Sequence, residues 1–140
     1  MKGNPEEKRL RVLVVDDDPS IVTVVTAVLR GEGFDVLEAT SGEEGLELAR
    51  TGSPDAVLLD IMMPGIGGFE VYRRLRLDPE TADIPVMFLT ASISPEHMSR
   101  STEMRASGYI IKPFSPRALV SALKETCRLR GESNIVLKSF

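Results

Sequence analysis

The feature that most constrains this chain is a repeated alternation. A short apolar run is followed by a stretch with apolar residues at helical spacing, five times over. Arg11-Val12-Leu13-Val14-Val15 opens the series as a continuous apolar strand, of the kind buried on both faces of a parallel sheet. Asp18-Pro19 then supplies a cap residue and a first-turn proline, and Ile21, Val24, Val25, Val28 and Leu29 follow at helical spacing to about Arg30. The valines would suit a strand, but the length and the cap favour a helix, and Gly31 and Gly33 bracket its end. The same unit recurs. A strand from Phe34 to Ala39 precedes a helix capped by Ser41, carrying Leu46, Leu48 and Ala49 and stopping near Gly52. A strand from Asp55 to Asp60 precedes a glycine-rich turn and a helix from Phe69 to Leu77. A strand from Pro85 to Thr90 precedes a polar helix from Pro95 to Ala106. A short strand, Tyr109 to Ile111, precedes a helix opened by Ser115-Pro116, with Leu119, Val120, Leu123 and Leu129 on its apolar side. Strands alternating with helices imply an α/β fold, a parallel sheet covered on both faces by right-handed crossovers. Such sheets bind ligands beyond the carboxyl ends of the strands, where the strand order reverses.

The bulk properties narrow the function classes. The length of 140 residues suits one domain, expected over residues 10–130, with a loose polar lead over 1–9 and a tail over 131–140. A net charge of -4 gives no reason to expect nucleic acid or an anionic membrane as a direct partner. No apolar run approaches the roughly 20 residues needed to cross a bilayer. The first apolar run meets acid after a few residues and lacks a small-residue cleavage pattern, so no signal peptide is expected. A single cysteine, Cys127, cannot form an internal disulfide and fits a reducing cytoplasm.

The chemistry gathers at one edge. Asp16 and Asp17 end the first strand, Asp60 the third, Thr90 the fourth and Lys112 the fifth. The second strand ends in Ala39-Thr40 without charge, which suits an order 2-1-3-4-5 with that strand outboard. Carboxylates brought together repel one another and raise their pKa values. A hard dication with oxygen ligands removes the conflict, and Mg²⁺ favours few carboxylates, retained waters and a phosphate oxygen. Lys112 can meet a phosphoryl oxygen as a point charge, and the Thr90 hydroxyl can donate to another. Asp60 is then placed as a nucleophile able to form an aspartyl phosphate. Taken singly, each residue has an ordinary use as a cap, a turn former or a solvated charge, and Asp18 is read as only the cap. The joint pattern carries the inference.

At these residues the chain resembles the response-regulator receiver family over about Leu10 to Leu129. The matching segments are LVVDDDPS (Leu13 to Ser20), LLDIMMPGIGG (Leu58 to Gly68), FLTA (Phe88 to Ala91) and GYIIKPF (Gly108 to Phe114). The resemblance implies a flavodoxin-like sheet of order 2-1-3-4-5 with five helices. It implies a regulatory switch rather than an enzyme, in which Asp60 takes a phosphoryl group from a sensor histidine kinase or a phosphotransfer protein and the domain assists its own phosphorylation and dephosphorylation. Asp17, Asp60 and the backbone carbonyl of Met62 would ligate Mg²⁺, or Mn²⁺ in its place, with Asp16 acting mainly through water. Lys112, Thr90 and backbone amides near Met62 and Ala91 would hold the phosphoryl oxygens. The Thr90 hydroxyl would move toward the phosphate and Tyr109 follow it inward. Lys112-Pro113 looks like the family's cis peptide. The chain departs from the family in having Gly67-Gly68 where Asp-Gly is frequent, which is expected to affect the loop or helix start rather than phosphorylation. By the same resemblance, Met62 and Ser92 occupy positions that in this family tune the lifetime of the phosphoryl group.

The resemblance also frames output. About ten residues follow the last helix, too few for an output domain, so the expectation is a single-domain regulator or a receiver cut from a longer protein. The segment Ser92 to Ala106 is expected to move, and its helix, the fifth strand and the helix from Ser115 form the expected surface for a downstream protein or a phosphorylation-dependent homodimer. A competing reading takes Asp16-x-Asp18-x-Ser20 as the opening of a haloacid-dehalogenase-like phosphatase, with Asp16 as nucleophile and Asp18 as general acid. It lacks the later acidic residues and leaves Asp60 without a role. A nucleotide-binding module lacks a glycine-rich phosphate loop after the first strand. His97, with no partner ligands nearby in sequence, is read as a surface residue, and Cys127 as packing or surface.

Overall fold

In a computed structural model, strands and helices alternate as the sequence pattern requires. They are β1 Arg11–Val15, α1 Pro19–Gly31, β2 Asp35–Ala39, α2 Gly42–Gly52, β3 Ala56–Asp60, α3 Gly68–Leu77, β4 Val86–Thr90, α4 Pro95–Glu103, β5 Gly108–Ile111 and α5 Pro116–Gly131. The structure describes residues 9–91, 94–103 and 106–131, without the side chains of 101–103 and 129–131. Residues 1–8 of the expected lead, Ser92, residues 104–105, the Leu129 side chain and the tail from 132 lie outside the described residues, and Ala106, the expected last residue of the polar helix, is described and lies outside it. Element ends otherwise fall within about a residue of the sequence expectation, an ordinary margin for helix and strand termini.

The strands form one parallel sheet of order β2-β1-β3-β4-β5. Because side chains alternate across a strand, each strand feeds two cores. Val12, Val14, Ala56, Leu58, Met87 and Leu89 face Val22, Val25 and Leu29 of α1 and Leu119, Leu123 and Cys127 of α5. Leu13, Val15, Val57, Leu59, Val86 and Phe88 face Ala49 of α2 and Val71, Tyr72 and Leu75 of α3. Cys127 is therefore a packing residue. The helix starts follow local rules. The Asp18 carboxylate accepts the Ser20 N–H at 3.0 Å, and the Ser41 hydroxyl accepts the Glu44 N–H at 3.1 Å. α3 has no side-chain cap at Gly67. At Gly68 a Cβ would run into the backbone carbonyl of Asp60, so this helix can start so close to β3 only with glycine there.

Candidate functional site

The register of the sheet assembles the site. Val15 of β1 pairs with Leu59 of β3, so Asp16 and Asp60 leave adjacent strands at the same level. Asp60 pairs with Leu89 and Thr90 with Ile111, which sets Thr90 at the end of β4 and Lys112 just beyond β5. The Lys112 N–H also donates to the Thr90 carbonyl at 2.8 Å, and the Lys112–Pro113 peptide is cis. Lys112 Nζ lies 2.8 Å from Asp16 Oδ2 and 3.6 Å from Asp60 Oδ2. Carboxylate oxygens of Asp16, Asp17 and Asp60 lie within 4.8 Å of one another. The clustering expected from strand ends is therefore present for the three acids and the lysine.

Each acid has a different surrounding. Asp16 is fully buried, and its Oδ1 accepts the Asp18 N–H at 3.0 Å. Its Oδ2 meets the Lys112 charge, but the approach is not aligned as a hydrogen bond, so this buried oxygen has no aligned donor. Asp60 is 4% exposed and its Oδ1 accepts the Met62 N–H at 3.3 Å. Burial, and then the nearby Asp16 charge, push the Asp60 carboxyl up to about 7, against the opposing pull of Lys112 and the Met62 amide. Burial also acts to lower the Lys112 pKa, but its contacts with Asp16 and Asp60 outweigh that and leave it raised. Asp17 is exposed. Thr90 is buried, and Tyr109 is half-buried beside the core cluster that holds Phe88, its partner in the β4–β5 ladder.

The donor set suits a hard cation. One ammonium facing three carboxylates leaves an excess of negative charge, and the buried Asp16 Oδ2 lacks an aligned donor. Oxygen-only ligands of this kind fit Mg²⁺.

Of the two buried acids, Lys112 makes its shorter contact with Asp16. Sequence reasoning missed two features. It assigned Gly68 no role, although a glycine next to a helix start is the ordinary signal of close backbone packing. It placed His97 on the surface. The imidazole is half-buried instead, edge-on to Phe69 with centroids 5.8 Å apart. No local pattern signals a ring so distant in sequence.

A family model described as the response regulator receiver domain matches residues 12–124. The DNA-binding response regulator MtrA of Mycolicibacterium smegmatis is 42% identical over 120 residues, covering 86% of this chain and 51% of that protein. The phosphate regulon transcriptional regulatory protein PhoB of Pseudomonas aeruginosa is 39% identical, covering 86% and 52%. The chain thus spans about half the length of the curated relatives it matches. Among solved structures, the chemotaxis protein CheY4 of Vibrio cholerae superposes with a TM-score of 0.81 at 32% identity, covering 85% of this chain and 99% of that one. These neighbours agree with the flavodoxin-like order found here. The name of the first relative, a DNA-binding regulator of which this chain spans about half, stands against the expectation of no nucleic-acid partner. Among the described residues, no helix is long and apolar enough to cross a membrane. The phosphatase reading finds no support in these matches, and the Asp18 carboxylate it needs as an acid is engaged by both the N–H and the hydroxyl of Ser20.

Proposed function

This chain belongs to the response-regulator receiver family of two-component signalling, and on that premise we propose that Asp60 is its phosphoacceptor. The single observation that carries the reading is the buried Asp60 carboxylate, with Lys112 Nζ 3.6 Å away and Asp16 and Asp17 clustered around it. An Asp60 oxygen attacks the phosphorus of a phosphohistidine on a sensor kinase or phosphotransfer protein. An O–P bond forms, the N–P bond breaks, and the imidazole leaves with the electron pair. Lys112 meets the negative charge on the phosphoryl oxygens, the Thr90 hydroxyl donates to another of them, and the Met62 N–H already points at the acceptor. Asp16, Asp17, Asp60 and the Met62 carbonyl would hold Mg²⁺, with Mn²⁺ as substitute, and the ion supplies the charge neutralisation that lets a phosphoryl group enter an acidic site.

Lys112 is held by Asp16 before transfer and turns toward the phosphoryl oxygens after it. Thr90 and Tyr109 follow as the switch, and the surface of α4, β5 and α5 meets a downstream protein, a fused output domain or a second copy. Residues 10–130 act as the receiver unit, flanked by the lead and the tail, in the cytoplasm. Incubation with acetyl phosphate and Mg²⁺, followed by peptide mapping, tests this. One phosphoryl group on Asp60, absent in Asp60→Asn, is the expected result. Label on Asp16, or equal uptake by Asp60→Asn, overturns it.

A further inference from the structure

α4 is anchored differently from the other helices. Among its described side chains, Pro95 to Arg100, none is buried and none joins either core cluster, whereas α1, α2, α3 and α5 each bury several residues. Ser94 caps its start by accepting the His97 N–H at 3.0 Å, but a cap does not attach a helix to a sheet. Among the described residues, an aromatic ring meets two of its side chains. Phe69, the second residue of α3, meets the His97 imidazole edge-on, and the Arg100 guanidinium carbon sits 4.4 Å from the ring centroid. Both geometries are favourable for a quadrupolar ring. Behind it, Phe69 meets Phe88 of β4 at 5.2 Å in an edge-to-face pair.

The same ring is tied to the acceptor. Phe69 follows Gly68, whose N–H donates to the Ile61 carbonyl at 2.9 Å and whose α-carbon has no room for a side chain against the Asp60 carbonyl. A displacement of the backbone after Asp60 therefore moves the start of α3, and the ring with it. The seat of α4 is also shallow. The buried His97 Nδ1 has no hydrogen-bond partner, an unfavourable term for this seat. A cleft of about 380 Å³, lined by Met62 and Gly67 on one side and His97 and Arg100 on the other, leaves space for the shift. Elements with few buried contacts are those that open and move most readily.

We propose that His97 and Arg100 are positioning residues that seat α4 on Phe69, and that this ring carries the phosphorylation of Asp60 to α4. The inference rests on the acceptor reading above and adds a route to it that does not pass through Tyr109. Phosphorylation biases a helix with two seats, and the Phe69 contacts set their balance.

The test uses the full chain with acetyl phosphate and Mg²⁺. Intact mass reports uptake, and hydrogen exchange over residues 95–103 reports α4. Before phosphorylation, a His97→Ala/Arg100→Ala protein should exchange α4 amides about threefold to tenfold faster than wild type. Its uptake should match wild type, while the phosphorylation-linked change in α4 protection is lost. A His97→Phe/Arg100→Lys protein, which keeps a ring and a cation at the same places, should recover that change. The link is overturned if the alanine pair takes up phosphate and retains the full change in α4. No uptake by the wild-type chain overturns the acceptor reading itself, and the link with it.

Discussion

Replacing Asp60 with asparagine should stabilise the metal-free domain, and the size of the effect should depend on pH. A buried carboxyl with a folded-state pKa of about 7, against an ordinary 3.8, favours the folded state when protonated and opposes it when charged. That contribution is fully present below pH 3.8, is lost progressively as pH rises toward 7, and changes no further above it. The full shift corresponds to about 4 kcal/mol, and relaxation of the site with water entry reduces the measurable part to about 1–3 kcal/mol. The asparagine side chain keeps the shape and can still accept the Met62 N–H, while Lys112 retains its contact with Asp16. Urea unfolding of both proteins in a chelator at pH 4.5, 6 and 8 measures the difference. Asp60→Asn should show the higher midpoint at pH 8, with a gap that narrows as pH falls. Excess Mg²⁺ should then close or reverse the gap, because a ligand at a hundredfold excess over its Kd stabilises the folded state by about 2.7 kcal/mol and the variant has lost one carboxylate ligand. A variant less stable than wild type at pH 8 without metal, or a gap that is the same at pH 4.5 and 8, would refute the account of Asp60 as a charge held against burial and like-charge repulsion.

Lys112→Ala removes the cation beside the fully buried Asp16, so it should lower stability in a chelator by about 2–4 kcal/mol, with partial recovery in Mg²⁺, as read by urea unfolding. Gly68→Ala forces a methyl group against the Asp60 carbonyl, where backbone cannot give way, and should cost about 1–3 kcal/mol and slow phosphoryl uptake from acetyl phosphate. Gly67→Asp, the neighbouring change toward the family's usual residue, gains an acidic cap but sets a Cβ 3.3 Å from the Ile61 carbonyl, so it should shift stability by less than about 1 kcal/mol and leave uptake unaltered. Ser41→Ala removes the hydroxyl that accepts the Glu44 N–H and should cost about 1 kcal/mol in thermal or urea unfolding without touching uptake.

What the sequence made legible follows from the range of each signal. The strands could be read because periodicity is local, the shared edge because a parallel sheet delivers every strand's carboxyl end to one side, and the order from the uncharged end of the second strand together with the family resemblance. Asp16, Asp60, Thr90 and Lys112 each ended an apolar run, so finding the runs found the residues. Which partner the lysine would choose was not readable. Asp16 and Asp60 stand level on neighbouring strands, and the choice depends on burial and on the Met62 and Asp18 amides that already occupy one oxygen of each acid. The misplacement of His97 has the same origin. Its helix has a polar pattern that reads as a solvated surface, and its burial depends on Phe69, which reaches it only because Gly68 lets α3 begin against β3. A contact that requires one glycine's missing side chain, an adjacent ring and a helix from a later crossover has no counterpart in the spacing of residues along the chain. The described part of α4 thus takes its contact with Phe69 from a neighbouring helix rather than from an apolar stripe of its own.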